Sequence, residues 1–315
     1  MAFLPCVHFS DLGGMRKHWY CVAHHLSGRY VLKVSMEDKI KSWLEKTGYP
    51  LELYVQKELI KGGYFCDKSP LYIDLQESTS REIDVVAFKA TEHDIPCSFE
   101  TKLFIECKKS EKPLVVLTAD TDKCARFTTL FGHDVVGHNQ PSFGVTAYST
   151  LLDLELCAQQ EFVGEFASET FVGYSLVTSF SKSDENIYKG IMGLSKASEF
   201  FRSNYLEFFE RLKTDRAKKS DTELHYELQI PTLVVDCPLF VAYLDKFGEM
   251  QVEPTQWSNI QVKLPWVIGK YDEERECSIQ VVTKEYFSQF LFEVDKISSY
   301  ASSPEIMTRS VEFNT

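Results

Sequence analysis

Two acidic residues and one lysine stand in segments of the chain that otherwise favour burial. Asp84 lies in the segment REIDVVAF, and Glu106 and Lys108 lie in the segment KLFIECKK. Both segments are rich in β-branched or other apolar residues, which predicts a pair of strands. A carboxylate that is half-buried in a strand needs a partner, and the usual partner is a cation. These three residues are therefore the first candidates for a chemical role.

Strand geometry relates the three residues to one another. Side chains two residues apart share a face, so Glu106 and Lys108 point the same way and Lys109 the opposite way. The opposite face is then expected to carry Leu103, Ile105 and Cys107. If the two strands pair as a hairpin, Asp84 and Glu106 converge with the Lys108 ammonium beside them. Two hard oxygen ligands and a substrate phosphate commonly hold magnesium, and a neighbouring lysine is suited to orient or deprotonate a bound water.

A helix of about three turns is predicted just before the two strands. Pro50 suits the first helical turn, and the pair Gly62-Gly63 suits the helix end. Between them, four residues are spaced to share one face. They are Glu52, Val55, Gln56 and Leu59. Glu52 is therefore expected to point inward at the start of the apolar stripe.

This order of residues resembles the signature of the PD-(D/E)XK, or restriction-endonuclease-like, nucleases. In that family a hairpin presents an Asp and a Glu-x-Lys, and many members carry a glutamate on the helix before the sheet. The resemblance covers Trp43 to Leu117. It departs from the family at Ile83, where the signature has a proline that binds no ligand.

The resemblance implies both a fold and a site. The fold is α/β, with a mixed α+β sheet flanked by helices around a restriction-endonuclease-like core. The site is a metal centre in which Asp84, Glu106 and Glu52 bind Mg²⁺ or Mn²⁺. Lys108 positions the attacking water, and the reaction is hydrolysis of DNA phosphodiester bonds. RNA is the alternative substrate.

Each of these residues also has a purely structural interpretation. Glu52 in a first helical turn favours the helix dipole. Asp84 in an edge strand discourages aggregation, and Lys108 and Lys109 form the charged end of such a strand. Two other functions are therefore kept open. One is a restriction-like fold that no longer cuts and serves as a nucleic-acid or protein binding module, and the other is an interaction protein with an unrelated α+β fold.

The net charge is unusual for a nuclease. The chain of 315 residues has 34 Lys and Arg against 46 Asp and Glu, so its formal charge is −12. Proteins that hold the phosphate backbone usually show a basic patch. We therefore expect weak non-specific DNA binding, or a partner that delivers the substrate. The candidates for a local basic patch are Lys102, Lys108, Lys109, Lys112 and Lys123.

The cysteine pattern indicates a reducing compartment. Nine cysteines are scattered from Cys6 to Cys277 without a CxxC pair, which suits free thiols better than a disulfide framework. No apolar run is long enough to span a membrane, and the N-terminus lacks the pattern of a signal peptide. We expect a cytoplasmic protein with no membrane partner.

Two interpretations are open for residues 1–35, which have no clear periodicity. One is a poorly ordered extension before the nuclease core. The other is a zinc site. Its soft ligands would be drawn from Cys6, His8, His18, Cys21, His24 and His25.

The nuclease core is predicted to span residues 36–215. Leu71, Ile73 and Leu75 alternate with polar residues, which predicts a first strand. With the strands of Asp84 and Glu106 it would form a three-stranded meander. The turn between the first two strands supplies candidates for phosphate contact, which are alternatively a solvated turn: Ser78, Ser80 and Arg81.

A long helix is predicted over residues 184–212, where apolar and aromatic residues recur at helical spacing. The stripe predicts packing against the sheet or, alternatively, a homodimer interface. Before it, His133, Asp134 and His138 indicate a polar loop or a second metal site. Residues 224–315 are predicted to be a β-rich α+β part of the same or a second domain, with strand breaks at Pro231 and Pro238.

Overall fold

The computed structural model describes residues 35–91, 97–119, 135–138, 171–181, 185–216, 224–268 and 274–306. Within these ranges the side chains of residues 97, 135–138, 205–216, 224–225, 265–268 and 274–275 are not described. The chain divides into two compact units, Met1–Leu44 and Glu45–Thr315. None of the helices in these ranges is long and apolar enough to cross a membrane.

The described part of the smaller unit is one helix, α1 (Met36–Leu44). The Ser35 hydroxyl accepts the Asp38 N–H at 3.0 Å, which satisfies one of the amides that a helix start leaves open. The apolar side chains of Ile40 and Trp43 are exposed. The proposed zinc ligands of residues 1–35 lie outside the described residues.

The larger unit alternates strands and helices. In chain order its elements are α2 (Tyr49–Lys61), β1 (Phe65–Lys68), β2 (Leu71–Asp74), β3 (Thr79–Glu82), β4 (Val85–Thr91), β5 (Cys97–Lys109), β6 (Leu114–Leu117), β7 (Val135–His138), β8 (Val172–Gly173), β9 (Ser175–Thr178), α3 (Glu185–Arg216), β10 (Leu224–Asp236), β11 (Leu239–Leu244), β12 (Met250–Thr255), β13 (Trp257–Ile268), β14 (Glu274–Thr283), a short 3₁₀ helix (Lys284–Tyr286) and α4 (Phe287–Ala301).

One mixed sheet forms the centre of this unit. Its strand order is β1-β4-β5-β10-β14-β13-β8, and β7 pairs with the first part of β10. β1, β4 and β5 are antiparallel neighbours, whereas β10 runs parallel to β5 along its whole length. A second sheet has the order β12-β11-β6-β9. The predicted class, a mixed sheet flanked by helices, is therefore confirmed.

The central strand β5 separates two hydrophobic cores. Leu103, Ile105 and Cys107 pack with α2 and α4 on one face of the sheet. Phe104 points to the other face, where the core includes residues of α3, and its ring stacks on that of Phe201 at 5.3 Å. The predicted alternation along this strand is confirmed, so the even-numbered side chains of this segment face α3.

The predicted first strand exists but lies outside the central sheet. β2 pairs with β3 in a separate two-stranded sheet, and β1 takes the place beside β4. The expected three-stranded meander is therefore wrong. The expected burial is also inverted. Tyr72 and Asp74 are buried, whereas Leu71, Ile73 and Leu75 are exposed.

Asp74 accounts for this inversion. Its buried carboxylate accepts Arg81 Nε at 2.9 Å and Lys196 Nζ of α3 at 2.7 Å, and it also accepts the Gln76 N–H at 3.0 Å. Burial raises the pKa of Asp74, but the hydrogen bonds from Lys196 and from the Gln76 and Glu77 amides outweigh it and hold the pKa below its ordinary value. Because a charge with such partners is stable when buried, its face of β2 turns toward α3.

The later part of the chain extends the central sheet. α3 begins and ends close to the predicted limits, and β14 is followed by the 3₁₀ helix and α4. The predicted strand break at Pro231 is wrong, because β10 continues to Asp236. Pro231 lies between the β7 pairing, which ends at Leu228, and the β14 pairing, which begins at Thr232. No strand faces it on that edge of the described sheet, which is where proline is tolerated.

Candidate active site

Asp84 lies at the junction between two strands. β3 ends at Glu82 and β4 begins at Val85, so the single strand predicted for REIDVVAF is wrong. The split arises because Glu82 pairs with β2, whereas Val85 pairs with β1 and β5. Asp84 Oδ2 accepts the backbone N–H of Cys107 at 2.7 Å. This bond fixes the Asp84 carboxylate against β5, next to Glu106.

Glu106 and Lys108 form an ion pair on the face of β5 that α3 covers. Lys108 Nζ lies 2.6 Å from Glu106 Oε1, and the side chains are 29% and 15% exposed, respectively. Burial is the main cause that raises the pKa of Glu106 to about 7, and the charge on Asp84 adds to it, against the opposing effect of Lys108. Glu106 therefore changes its protonation state near neutral pH.

Glu52 lies beside the buried stripe of α2 and is half-buried. The helix α2 buries Leu51, Val55 and Leu59, of which Val55 and Leu59 were predicted, whereas Leu51 is buried in place of the expected Glu52. These three recur every four residues and define the inward face. Burial raises the pKa of Glu52, and the charge on Asp84 raises it further. Glu52 is thus within electrostatic reach of the other carboxylates, although it points less far inward than expected.

The site holds more negative than positive charge. Burial raises the pKa of Asp84, and the Cys107 N–H and Lys108 oppose that rise only in part. All three carboxylates therefore bind a proton more firmly than usual, with Lys108 as the nearby cation. Such crowding is relieved by protons or by a bound cation.

The carboxylate oxygens fit a hard divalent cation. Among the described residues, one oxygen of Asp84, one of Glu106 and both of Glu52 accept no hydrogen bond. Open carboxylate oxygens are the ligands that Mg²⁺ and Mn²⁺ prefer. Within the described ranges, no group of three or more His, Cys, Asp or Glu side chains is arranged to hold a metal ion. The oxygens are therefore of the right type, and a metal would have to draw the side chains closer.

The Lys109 side chain points away from Glu106 and Lys108, as the alternation of side chains along a strand predicts. Its Nζ donates to the backbone carbonyl of Glu45 at 2.7 Å. Lys102 does not join a basic patch, which corrects that prediction, because its Nζ lies 2.7 Å from Glu227 and 3.1 Å from Glu100. Lys112 is exposed and donates to the carbonyl of Phe180 at 2.9 Å.

The other candidates from the sequence are not drawn into the site. Arg81 is held by Asp74 and by Glu77, and Ser78 and Ser80 are exposed. The residues Lys123, His133 and Asp134 lie outside the described residues, and the side chain of His138 is not described. The described surface around the site is therefore less basic than the sequence alone suggested.

One residue beside the site was missed from the sequence. Gly190 of α3 lies directly over the Glu106 and Lys108 side chains. A glycine inside a helical pattern is a sign of close packing, but the sequence could not tell what packs there.

Comparison of the chain with protein-family models, with curated proteins and with solved structures found no match.

Proposed function

We propose that this protein is a metal-dependent nuclease that hydrolyses DNA phosphodiester bonds. The observation that carries the proposal is the hydrogen bond from the Cys107 N–H to Asp84. It holds the Asp84 carboxylate beside the Glu106–Lys108 ion pair. An Asp next to a Glu-x-Lys is the arrangement that the resemblance to PD-(D/E)XK nucleases implies.

The connectivity supports the same proposal. α2 with Glu52 comes first, then β1, then Asp84 directly before β4, with the β2–β3 hairpin inserted between β1 and Asp84, and then β5 with Glu106 and Lys108. This is the order that the resemblance implies for a restriction-endonuclease-like core. The antiparallel pairing of Val85 with Ile105 places the start of β4 at the Glu-x-Lys end of β5.

Each residue has a role in the proposed reaction. Asp84 and Glu106 would hold Mg²⁺ or Mn²⁺, and Glu52 would complete the shell directly or through a water. When bound, the metal supplies a nucleophilic water at neutral pH and stabilises charge on the phosphate. Burial lowers the pKa of Lys108, but Glu106 and Asp84 outweigh that and raise it. Lys108 is therefore an ammonium at neutral pH, suited to orient the water and offset phosphate charge rather than to remove a proton.

The net charge of the chain bears on how DNA would reach the site. A formal charge of −12 disfavours non-specific DNA binding, and among the described lysines near the site Lys102 is engaged by Glu227. We therefore propose that a partner delivers the DNA, or that a homodimer shares it. RNA is the alternative substrate.

The second candidate function is a restriction-like fold that binds a nucleic acid or a protein without cutting. One observation favours it: Lys108 occupies an oxygen of Glu106 that a metal ligand would use. The two candidates differ in whether a divalent metal binds.

Calorimetric titration of Mg²⁺ or Mn²⁺, followed by a plasmid-nicking assay, tests the proposal. We expect wild type to bind metal and to nick. Asp84→Ala and Glu106→Ala should stay folded but lose nicking, because removing one crowded carboxylate relieves repulsion. Glu111→Ala is the matched control, since Glu111 is an exposed acid just after β5. Nicking by Asp84→Ala at the wild-type rate would refute the site. No metal binding by folded wild type would favour the binding module, whereas metal binding without nicking would leave a nuclease that needs a partner or its own target.

A further inference from the structure

The backbone of α3 lies close to the proposed site at Gly190. This residue is buried. A Cβ at this position would lie 2.9 Å from Lys108 Cε, 3.6 Å from Lys108 Cγ and 3.7 Å from Glu106 Cγ. The first distance is too short for two carbon atoms in contact, since their optimum is about 3.5–4.0 Å. The aliphatic part of Lys108 therefore lies in the space that a side chain would fill.

The helix itself is not free to move away. Ile187, Ile191 and Leu194 of α3 are buried in the core on this face of the sheet. Packed cores resist displacement because they have few voids. The Lys108 side chain is the flexible partner of the contact. A methyl group at position 190 would therefore be accommodated by moving Lys108, and its ammonium lies only 2.6 Å from Glu106.

We propose that Gly190 is a positioning residue for Lys108. The missing Cβ lets the aliphatic part of Lys108 pass under α3, so that the ammonium reaches Glu106 and the point where the attacking water would be oriented. The role of Lys108 in catalysis rests on the proposed nuclease function. The steric control of Lys108 by Gly190 rests on the contact alone, so the two parts of the inference are tested separately.

The chain supplies a matched control on the same helix. Gly193 lies three residues after Gly190, and a Cβ there would lie 3.8 Å from the Tyr72 hydroxyl, which is an ordinary contact. Gly190→Ala and Gly193→Ala raise helix propensity in the same way. They differ in whether the added methyl group meets Lys108.

The steric part is tested by the reactivity of the lysine amine. Wild type, Gly190→Ala and Gly193→Ala are treated with formaldehyde and borohydride, and methylation of each lysine is followed by peptide mass spectrometry. We expect Lys108 to react at least threefold faster in Gly190→Ala and at the wild-type rate in Gly193→Ala. Lys109 is the internal reference and should not change. An unchanged rate at Lys108 in Gly190→Ala would overturn the inference.

The catalytic part is tested by a double-mutant cycle on nicking kinetics. We expect Gly190→Ala to lower kcat at least tenfold with little change in KM, and Gly193→Ala to stay within twofold of wild type. In a Lys108→Ala background, Gly190→Ala should cause no further loss, because it acts through the lysine. A further loss of the same size there would overturn the positioning role.

Two outcomes separate this inference from the proposed function. If Lys108 becomes more reactive in Gly190→Ala but wild type cuts no nucleic acid, the steric control stands and the nuclease function fails. If Gly190→Ala does not fold, the double variant with Lys108→Ala decides, since it removes the atoms that clash. Recovery of cooperative unfolding in the double variant supports the contact, and an unfolded double variant overturns it.

Discussion

At Glu106, the environment that suits the proposed function destabilises the folded state. It is mostly buried, close to Asp84, and bonded to Lys108. Functional carboxylates are often held in such environments, where burial and a like charge raise the pKa. The negative charge of Glu106 therefore lowers the stability of the folded state, and a bound cation or proton offsets that loss.

The raised pKa of Glu106 predicts a stability that depends on pH. The pKa is about 7 in the folded protein against an ordinary 4.5, so the folded state holds this proton more firmly. The stability from Glu106 is present below about pH 4.5 and is lost as the pH rises through about 7. We therefore expect Glu106→Gln, without metal, to raise the free energy of unfolding at pH 8 by on the order of 2 kcal/mol relative to its effect at pH 4.5.

Urea unfolding of both proteins at the two pH values, with a chelator present, measures this difference. Glu111→Gln is the control, since that glutamate is exposed. Equal effects of Glu106→Gln at both pH values would show that Glu106 is not strained by its surroundings.

Lys108 and Lys109 predict opposite outcomes although they are neighbours in the chain. Lys108 contacts Glu106, whereas Lys109 contacts the carbonyl of Glu45. Lys108→Ala should lower kcat by about 10²- to 10³-fold, the usual effect of removing a positioned donor that stabilises developing charge, and should leave metal affinity within a few fold. Lys109→Ala should leave kcat unchanged. Steady-state nicking rates and calorimetry measure both, and a loss of kcat in Lys109→Ala alone would reassign the role.

The sequence predicted the relation between Glu106 and Lys108 because a strand repeats every two residues. It could not predict the Gly190 contact, which depends on where α3 crosses the sheet. On α2 the sequence predicted the burial of Val55 and Leu59 but placed Glu52 instead of Leu51 at the start of the stripe. Several faces of α2 carry apolar residues, so the spacing alone did not single out Leu51.

At the scale of elements, the hairpin of β2 and β3 is oriented by one buried charge. Asp74 is fully buried between Arg81 and Lys196, which belong to β3 and α3. The sequence pattern predicted the opposite face as buried because Leu71, Ile73 and Leu75 are apolar. Lys196 is distant in the sequence, so no local pattern could show that Asp74 would find a partner there.

Asp74 predicts a large loss of stability on substitution. Asp74→Asn should lower the free energy of unfolding by about 3 kcal/mol at pH 7, because it leaves the mostly buried Lys196 ammonium without its carboxylate partner. The pKa of Asp74 is lowered in the folded state, so its contribution is present above the unfolded pKa and is lost as the pH falls through the folded one. The difference between variant and wild type should therefore shrink toward pH 2.

Urea unfolding at pH 7 and at low pH measures this prediction. Asp67→Asn is the control, because Asp67 is an exposed acid on the neighbouring strand β1. A loss of similar size in Asp67→Asn would attribute the effect to general charge. No loss in Asp74→Asn would mean that the hairpin is held by apolar contacts instead.

At the scale of the whole larger unit, the proposed site depends on strands from both ends of its sequence. β5 carries Glu106 and Lys108, and β10 pairs with β5 from one end to the other. β14 pairs in turn with β10 and β13. The β-rich character of residues 224–315 was predictable from the sequence, but the place of their strands in the sheet was not. Parallel pairing between distant segments leaves no local signal, because nothing near either strand specifies its neighbour.

This arrangement predicts that a chain ending at Arg216 cannot form the site. Without β10, the edge of β5 would expose a row of unpaired backbone groups over its whole length. It would also lose the buried partners Leu228, Ile230 and Val234 from the core that α2 shares. We expect this fragment to lack cooperative urea unfolding and metal binding, and to regain both when co-expressed with residues 217–315. Circular dichroism and calorimetry measure the outcome, with the full-length chain as the reference. A fragment that folds and binds metal alone would show that the site is autonomous.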